Sequence, residues 1–479
     1  MKRRKLLKQL GFGLSGGLLL PHLLSSCTKD DPGPEVPFDG DVVVIGAGAA
    51  GMYAADILNA KGIKVTILEA GDQIGGRVRS ERNQTDEEVA DISVADFPVE
   101  LGAEIIYGSD SIWGTNLKNY FVNAISIDEG FSDRYILDAI SKTEEDWNVD
   151  GDFENAQNFV ESLANFSQSG VTVKQAATGL PARVEALINS QIGNLYGSTN
   201  DTVGMAALSE TLKARTHDGV RQVLKSNPMQ DFLIFRFDQV KDLVRLNTKV
   251  TSVDSSGSKV IVTVDDGTQI ETDKVIVTVP ISILKKNTIS FSPGLPSEMI
   301  SSMAKIGMDH SIRVVIDFKK NFWGESSRFT WGGTLFPNCF NAGIGRGEFN
   351  RTLSITINGP KAKMLSDQGE GMIDSILAEL DEVYDGQASQ FVRRSLDDEE
   401  KILWIRKDWG KDEFIQGGYS YPMASATLED RENLGLAIGD KVFFAGEATD
   451  VSGDAGTING ALASAERVTQ EIIKSITGE

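Results

Sequence analysis

The hydrophobic pattern first becomes regular at residues 42–45, where VVVI stands between Asp41 and Gly46. So short and so apolar a run predicts a strand buried on both faces of a parallel sheet. Residues 49–61 predict a helix and 64–68 a second strand, and comparable runs return late in the chain. Strands are predicted at 243–246, 248–254, 259–265 and 274–279, with a turn at Asp266-Gly267. A closing helix is predicted over 456–474. In between, apolar spacing predicts helices within 152–166, 173–191 and 203–215, and an amphipathic helix over 371–384. Residues 310–318 and 352–358 predict strands. There is no internal repeat and no low-complexity run. The alternation at the two ends predicts an α/β core, and the middle reads as a mixed insertion, α+β overall.

The turn after the first strand carries chemistry. The sequence DVVVIGAGAAG spans 41–51. Gly46 permits a tight turn, Gly48 lets a pyrophosphate approach the backbone, and Gly51 lets the helix lie close to the strand. Ala49 and Ala50 open that helix, so its free N–H groups face the phosphates. The second strand ends at Glu69 and Ala70, where an acidic side chain accepts ribose hydroxyls and repels a 2′-phosphate. The bland alternative is a glycine-rich βα turn with no ligand. Gly75-Gly76-Arg77 adds a second glycine pair and a cation, which suits a cofactor longer than one nucleotide.

Further segments follow in order: FPVELGAEIIYG at 97–108, LNTKV at 246–250, VIVTVP at 275–280, FKKNFW at 318–323, Trp409, GGYS at 417–420, VFFAGEAT at 442–449 and GTING at 456–460. With these, residues 41–473 resemble the flavin-dependent amine oxidase family: monoamine, polyamine and L-amino-acid oxidases. The middle of the chain is much less similar than the ends. The resemblance implies a Rossmann-like, glutathione-reductase-like FAD domain with an inserted substrate domain. It also implies that Gly102, Ala103, Glu104, Val250, Gly446, Glu447, Thr457 and Ile458 join the first cradle around FAD. The expected reaction takes an amine to an imine by hydride transfer to flavin N5, with O2 as acceptor and hydrogen peroxide as product.

By the same resemblance, Tyr419 is one aromatic wall facing the ring, or else an ordinary core tyrosine. Thr457 stands where monoamine oxidases have the second wall, as in polyamine-oxidase-type members. Gly418 replaces the cysteine that tethers flavin in monoamine oxidases, so FAD is expected to be non-covalent. Trp409 packs near the ring or serves the core. Arg313, ten residues before Trp323, replaces the family's usual lysine. It can hold a water or a substrate carboxylate but cannot supply a neutral amine, so an acceptor other than O2 stays open. Glu100 or Glu104 either neutralises a diamine's distal cation or is a structural hydrogen-bond partner, and Tyr107 lies in the same segment. No arginine stands there to grip an amino-acid carboxylate.

Composition narrows the field. The chain has 479 residues and a net charge of −22, which argues against nucleic acid as a partner. The first 26 residues carry five cations and no anion. Arg3-Arg4 resembles a twin-arginine export signal and Leu24-Ser-Ser-Cys27 a lipoprotein cleavage box. Residues 1–27 are therefore expected to direct export across the inner membrane, with lipidated Cys27 as the sole membrane contact and 28–39 as a tether. The FAD domain is expected to comprise 40–108, 232–290 and 418–475, and the substrate domain 109–231 and 291–417. The acidic runs at 86–88 and 397–400 read as solvated loops. With two cysteines and three histidines, one of each inside the leader, no metal site is expected. Oligomeric state is unreadable. Two competing readings are an FAD-dependent desaturase acting on an apolar substrate and a non-catalytic FAD-binding lipoprotein.

Overall fold

The computed structural model describes residues 35–81, 97–395 and 398–478. The leader, Cys27, the acidic run at 86–88 and Asp397 lie outside the described residues. Asp398, Glu399 and Glu400 are exposed.

A five-stranded parallel sheet forms the centre, in the order Val244–Arg245, Lys64–Leu68, Asp41–Ile45, Lys274–Val277, Val442–Phe444. Sequence-distant strands thus become neighbours: Val43 pairs with Val275, and Val275 with Val442. Val42, Val43 and Val44 have no exposed surface, as a strand covered on both faces requires. Helices Ala49–Ala60 and Ile458–Thr477 cover one face. Leu58, Leu462, Ala465 and Val468 pack there with Val42 and Val44. The other face meets a four-stranded sheet in the order Gln269–Thr272, Val260–Val264, Val250–Asp254, Ser290–Ser292. Val253 and Val262 pack there with Val43 and Val277.

A seven-stranded sheet organises the rest, in the order Trp404–Asp408, Ser311–Asp317, Thr352–Asn358, Asn338–Asn341, Ser327–Trp331, Ser132–Leu137, Ile140–Thr143. Helices Pro360–Gln368 and Met372–Val383 pack one face through Leu365, Ile376 and Leu380. Helical segments between Gly151 and Lys213 pack the other through Phe153, Leu187 and Leu208. The predicted helix over 173–191 is broken into Val173–Ala176 and Glu185–Gln191. Gly179 at φ 99° and Pro181 stand between the pieces, residues that a continuous helix does not accommodate. The stretch 109–231 also contains strands Ala124–Ser126, Ser132–Leu137, Ile140–Thr143 and Arg221–Leu224, which its helical pattern did not announce. Among the described residues no helix is long and apolar enough to cross a membrane.

Candidate functional site

One cavity of about 580 Å³ runs between the central sheet and the inserted elements, within the range of small-molecule sites. Gly46, Gly48, Ala49, Ala50, Glu69, Ala70, Gly76 and Arg77 line one end of it. Gly46 adopts φ 105°, and its N–H donates to the Leu68 carbonyl at 2.8 Å. A Cβ placed on Gly48 would meet only the Gly75 carbonyl, at 4.0 Å, so Gly48 faces open space. Gly51 does not line the cavity. A Cβ there would lie 1.9 Å from the Gly46 carbonyl oxygen, so its absence lets helix and turn touch. The Glu69 carboxylate accepts from Ala47 N–H at 2.7 Å and from Gly71 N–H at 2.8 Å. Each oxygen keeps a further lone pair for hydroxyl donors. A second helix, Ile458–Thr477, points its N-terminus at the same space, with Thr457 and Ile458 on the lining. Thr457 caps it by accepting from Gly460 N–H at 3.2 Å. Glycine cradle, two helix N-termini and a strand-terminal carboxylate fit a dinucleotide pyrophosphate and its ribose.

The two ends of the chain are clasped together here. Arg77 Nη1 donates to Glu447 Oε1 at 2.7 Å and to the Gly418 carbonyl at 3.1 Å. Glu447 also accepts from Ser420 Oγ at 2.6 Å and from Gly456 N–H at 2.8 Å. Burial alone would raise its pKa, but Arg77 and Ser420 outweigh burial and hold the carboxyl below its usual value. The Arg77 carbonyl accepts from Ala103 N–H at 3.1 Å, and a Cβ on Gly102 would come within 1.8 Å of that carbonyl. Gly102, Ala103, Glu104, Val250, Gly446 and Glu447 all line the cavity. Gly446 adopts φ 126° and presents bare backbone to it.

Toward the inserted elements the cavity opens into a chamber lined by Tyr107, Tyr196, Tyr419, Leu195, Phe329 and Phe340. The Tyr419 hydroxyl donates to the Leu195 carbonyl at 2.8 Å and accepts from Asn358 Nδ2 at 3.2 Å. Its ring lies 3.1 Å from where a Cβ on Gly197 or on Gly456 would sit, so two glycines make room for it. Burial raises the pKa of all three tyrosines, keeping them neutral. Trp409 is buried on the lining, its indole N–H donating to the Leu101 carbonyl at 2.8 Å.

Arg313 also lines the chamber. Its Nη1 donates to Glu104 and, at 2.8 Å, to Ser354 Oγ, while Nη2 donates to the Gly102 carbonyl at 2.8 Å. Glu104 is 8% exposed. Burial raises its pKa and the Arg313 charge opposes that rise. Glu104 also accepts from Ser354 Oγ at 2.9 Å. Glu100 lies off the cavity and accepts from Ser80 Oγ and Met229 N–H. Arg215, just past helix Met205–Lys213, completes the chamber wall. It donates to the Gly453 carbonyl at 2.9 Å from Nη2, and its Nε lies 3.1 Å from Asp454 Oδ1.

The family profile "Flavin containing amine oxidoreductase" matches residues 204–473, more than half of the chain. The chain belongs to this family. A profile for an NAD(P)-binding Rossmann-like domain matches residues 44–121. Lysine-specific histone demethylase 2 of Homo sapiens is 25% identical over 443 residues, covering 85% of this chain and 50% of that protein. Polyamine oxidase 4 of Oryza sativa subsp. japonica is 24% identical over 505 residues, covering 96% of this chain and 92% of the relative. The chain thus spans about half the length of the human demethylase, and 31% of a homologous demethylase from Arabidopsis thaliana. Among solved structures, putrescine oxidase bound to putrescine superposes with a TM-score of 0.72 at 18% identity, covering 91% of this chain and 99% of that one. Cyclohexylamine oxidase from Brevibacterium oxydans IH-35A gives 0.73 at 18%, with the same coverage. The likeness is one of fold: a parallel central sheet joined to a second, seven-stranded sheet.

As a member of this family the chain takes FAD as its cofactor, and the glycine cradle and Arg77–Glu447 clasp line a cavity that fits it. Every cofactor position expected from the sequence reaches the cavity except Gly51, which acts from behind it. Tyr419, Arg313, Trp409 and Thr457 reach it too. Arg215, Tyr196, Phe329 and Phe340 were missed. They sit on insertion elements with no glycine signature, and only the tertiary fold turns them inward.

Proposed function

We propose that the chain oxidises an amine to an imine, which water converts to a carbonyl compound and ammonia or a smaller amine, with O2 as the acceptor. The substrate loses two electrons and two protons, O2 gains them as hydrogen peroxide, and one water is consumed in hydrolysis. The observation that carries this reading is the single cavity running from the Gly46–Glu69 cradle to the Tyr419 chamber. Bound flavin supplies the two-electron acceptor. Tyr419, immobilised by Leu195 and Asn358, offers a flat face that orients the amine. Phe329, Phe340 and Leu195 exclude water, which favours the uncharged amine over its ammonium form. Arg313 brings a permanent positive charge to the chamber, suited to stabilising negative charge developing nearby. Among the described residues no cysteine lines the cavity, and Cys339 is buried in the core beneath the helix-covered face of the seven-stranded sheet. This supports non-covalent FAD.

We further read residues 1–27 as an export leader that leaves acylated Cys27 at the membrane, on the strength of Arg3-Arg4 and the Leu24–Cys27 box. The test of function is anaerobic mixing of the purified yellow protein with amines, followed by air. Bleaching, then recovery with one hydrogen peroxide per amine, is the expected result. Bleaching without recovery in air assigns a different acceptor, and a spectrum unmoved by any amine overturns the reading.

A further inference from the structure

The carboxylates on the cavity wall are already committed. Glu69 holds the Ala47 and Gly71 amides. Glu104 is bound by Arg313 and Ser354. Glu447 is bound by Arg77, Ser420 and Gly456. Glu413, the fourth, is 65% exposed and pairs with Lys249 at 2.6 Å. The two cations of the chamber are placed differently. Arg313 has its counter-ion Glu104 beside it on the lining, whereas Arg215 is on the lining and its counter-ion Asp454 is not. Asp454 is in turn shared with His217, whose Nε2 lies 3.0 Å from the same oxygen. Because His217 Nδ1 accepts from Gly219 N–H, the neutral ring carries its proton on Nε2 and donates it to Asp454. The chamber wall therefore carries two guanidinium groups and no carboxylate left to take a further ammonium group.

We propose that this chamber selects amines with a single cationic centre on an uncharged, largely apolar body, and that Arg215 is the residue that sets this preference. The inference rests on the amine-oxidation reading and narrows its substrate class. A second ammonium group carried past Tyr419 would be stripped of water among Leu195, Phe329 and Phe340. It would find no free carboxylate and would lie near Arg215 and Arg313. Burying a charge without a partner is strongly unfavourable, and an aromatic face recovers only part of that cost. Tyr107 and Tyr196 lie on the same cavity wall as the two arginines. An uncharged body meets phenol, phenyl and leucine surfaces and buries them.

The experiment compares matched pairs on the holoenzyme by anaerobic flavin bleaching: hexylamine against 1,6-diaminohexane, and phenethylamine against 4-(aminomethyl)phenethylamine. Each singly charged amine is expected to bleach the flavin roughly 50-fold faster or more than its doubly charged partner. A diamine that matches or outruns its monoamine overturns the inference and leaves amine oxidation standing. Silence from all four compounds refutes the amine-oxidation reading itself. In Arg215→Leu, Asp454 keeps His217 but loses its cation, and the hexylamine preference is expected to shrink about tenfold. Arg215→Lys retains the charge and is expected to retain the preference. An unchanged preference in a folded, flavin-loaded Arg215→Leu protein removes Arg215 from the role.

Discussion

The Arg77 guanidinium and the Glu447 carboxylate, 370 positions apart in the chain, meet through Nη1 and Oε1 at 2.7 Å on the wall of the flavin cavity. Glu447 is 5% exposed and Arg77 26%. The pair ties the first βαβ unit to the last strand and helix, so neither end completes the cavity alone.

Arg77→Ala leaves a buried carboxylate with hydroxyl and amide donors but without its adjacent cation. Breaking such a pair costs about 3–5 kcal/mol, here reduced by the part-exposure of Arg77. The expected outcome is a lower unfolding midpoint and flavin lost on gel filtration. Glu447→Gln keeps one of the two acceptor oxygens, strands no buried carboxylate and should lose less. Because the Glu447 pKa is depressed in the fold, its contribution is present above the ordinary carboxyl range and fades as pH falls below it. The stability gap between wild type and Glu447→Gln should therefore close in acid. A gap that persists or widens there would assign the clasp no electrostatic role.

Gly48 and Gly51 sit three residues apart and should fail in different ways. At Gly51 a methyl would strike the Gly46 carbonyl oxygen 1.9 Å away, so Gly51→Ala should cost about 1–3 kcal/mol of stability by overpacking. At Gly48 the backbone has φ −76° and ψ −177°, which alanine accepts, and the methyl would point into the cradle. Gly48→Ala should keep the unfolding midpoint of the flavin-free protein yet bind FAD at least tenfold more weakly. Calorimetry on flavin-free protein together with flavin titration separates the two outcomes.

What the sequence revealed and what it hid follow from how each element is buried. The VVVI strand is apolar throughout because both its faces are covered, and Glu69 is legible because it closes a strand at a fixed distance from the glycine turn. Strands Ser132–Leu137 and Ser327–Trp331 were not read. Asp133 and Arg328 are buried in them and joined at 2.7 Å, so charged side chains occupy positions that alternation reserves for apolar ones. Each residue of that ion pair looks like a surface residue until its partner, 195 positions away, is in place. The cradle was likewise readable from local glycines, while the chamber, assembled from Tyr196, Arg215, Phe329 and Phe340, has no local signature. Arg313 stood out as a departure from the family's lysine, but its partner Glu104 emerged only from the fold.

Glu100 gives a pH dependence of the opposite sign to Glu447. Burial pushes its pKa up to about 8 from an ordinary 4.5. Between those values the folded protein binds the extra proton, so this group makes stability fall as pH rises from about 4.5 to 8. Glu100→Gln retains an acceptor for Met229 N–H and adds an amide donor toward Ser80 Oγ. It should flatten that slope and stabilise the protein at pH 8 by roughly 1–3 kcal/mol. Since Glu100 lies off the cavity, flavin affinity should be unchanged. Urea unfolding at pH 5 and pH 8 decides the matter, and parallel slopes for the two proteins would refute it.

Arg313 and Glu104 form the ion pair inside the chamber, with side chains 13% and 8% exposed. Arg313→Met removes the cation and leaves Glu104 with Ser354 as its remaining donor. Burial already raises the Glu104 pKa, and without Arg313 it must rise further, so the variant should gain stability as pH falls and be weakest in alkali. At pH 8 the loss should reach about 3–5 kcal/mol. The double variant Arg313→Met/Glu104→Gln, with no stranded charge, should recover most of that loss and show no such slope. It separates stability from chemistry. If Arg313 serves only to neutralise Glu104, the folded double variant bleaches with amine at the wild-type rate. If its charge stabilises the reacting centre, bleaching slows by about tenfold or more while flavin stays bound. The second result is expected, because Arg313 lines the chamber beside Tyr419 rather than lying behind its wall.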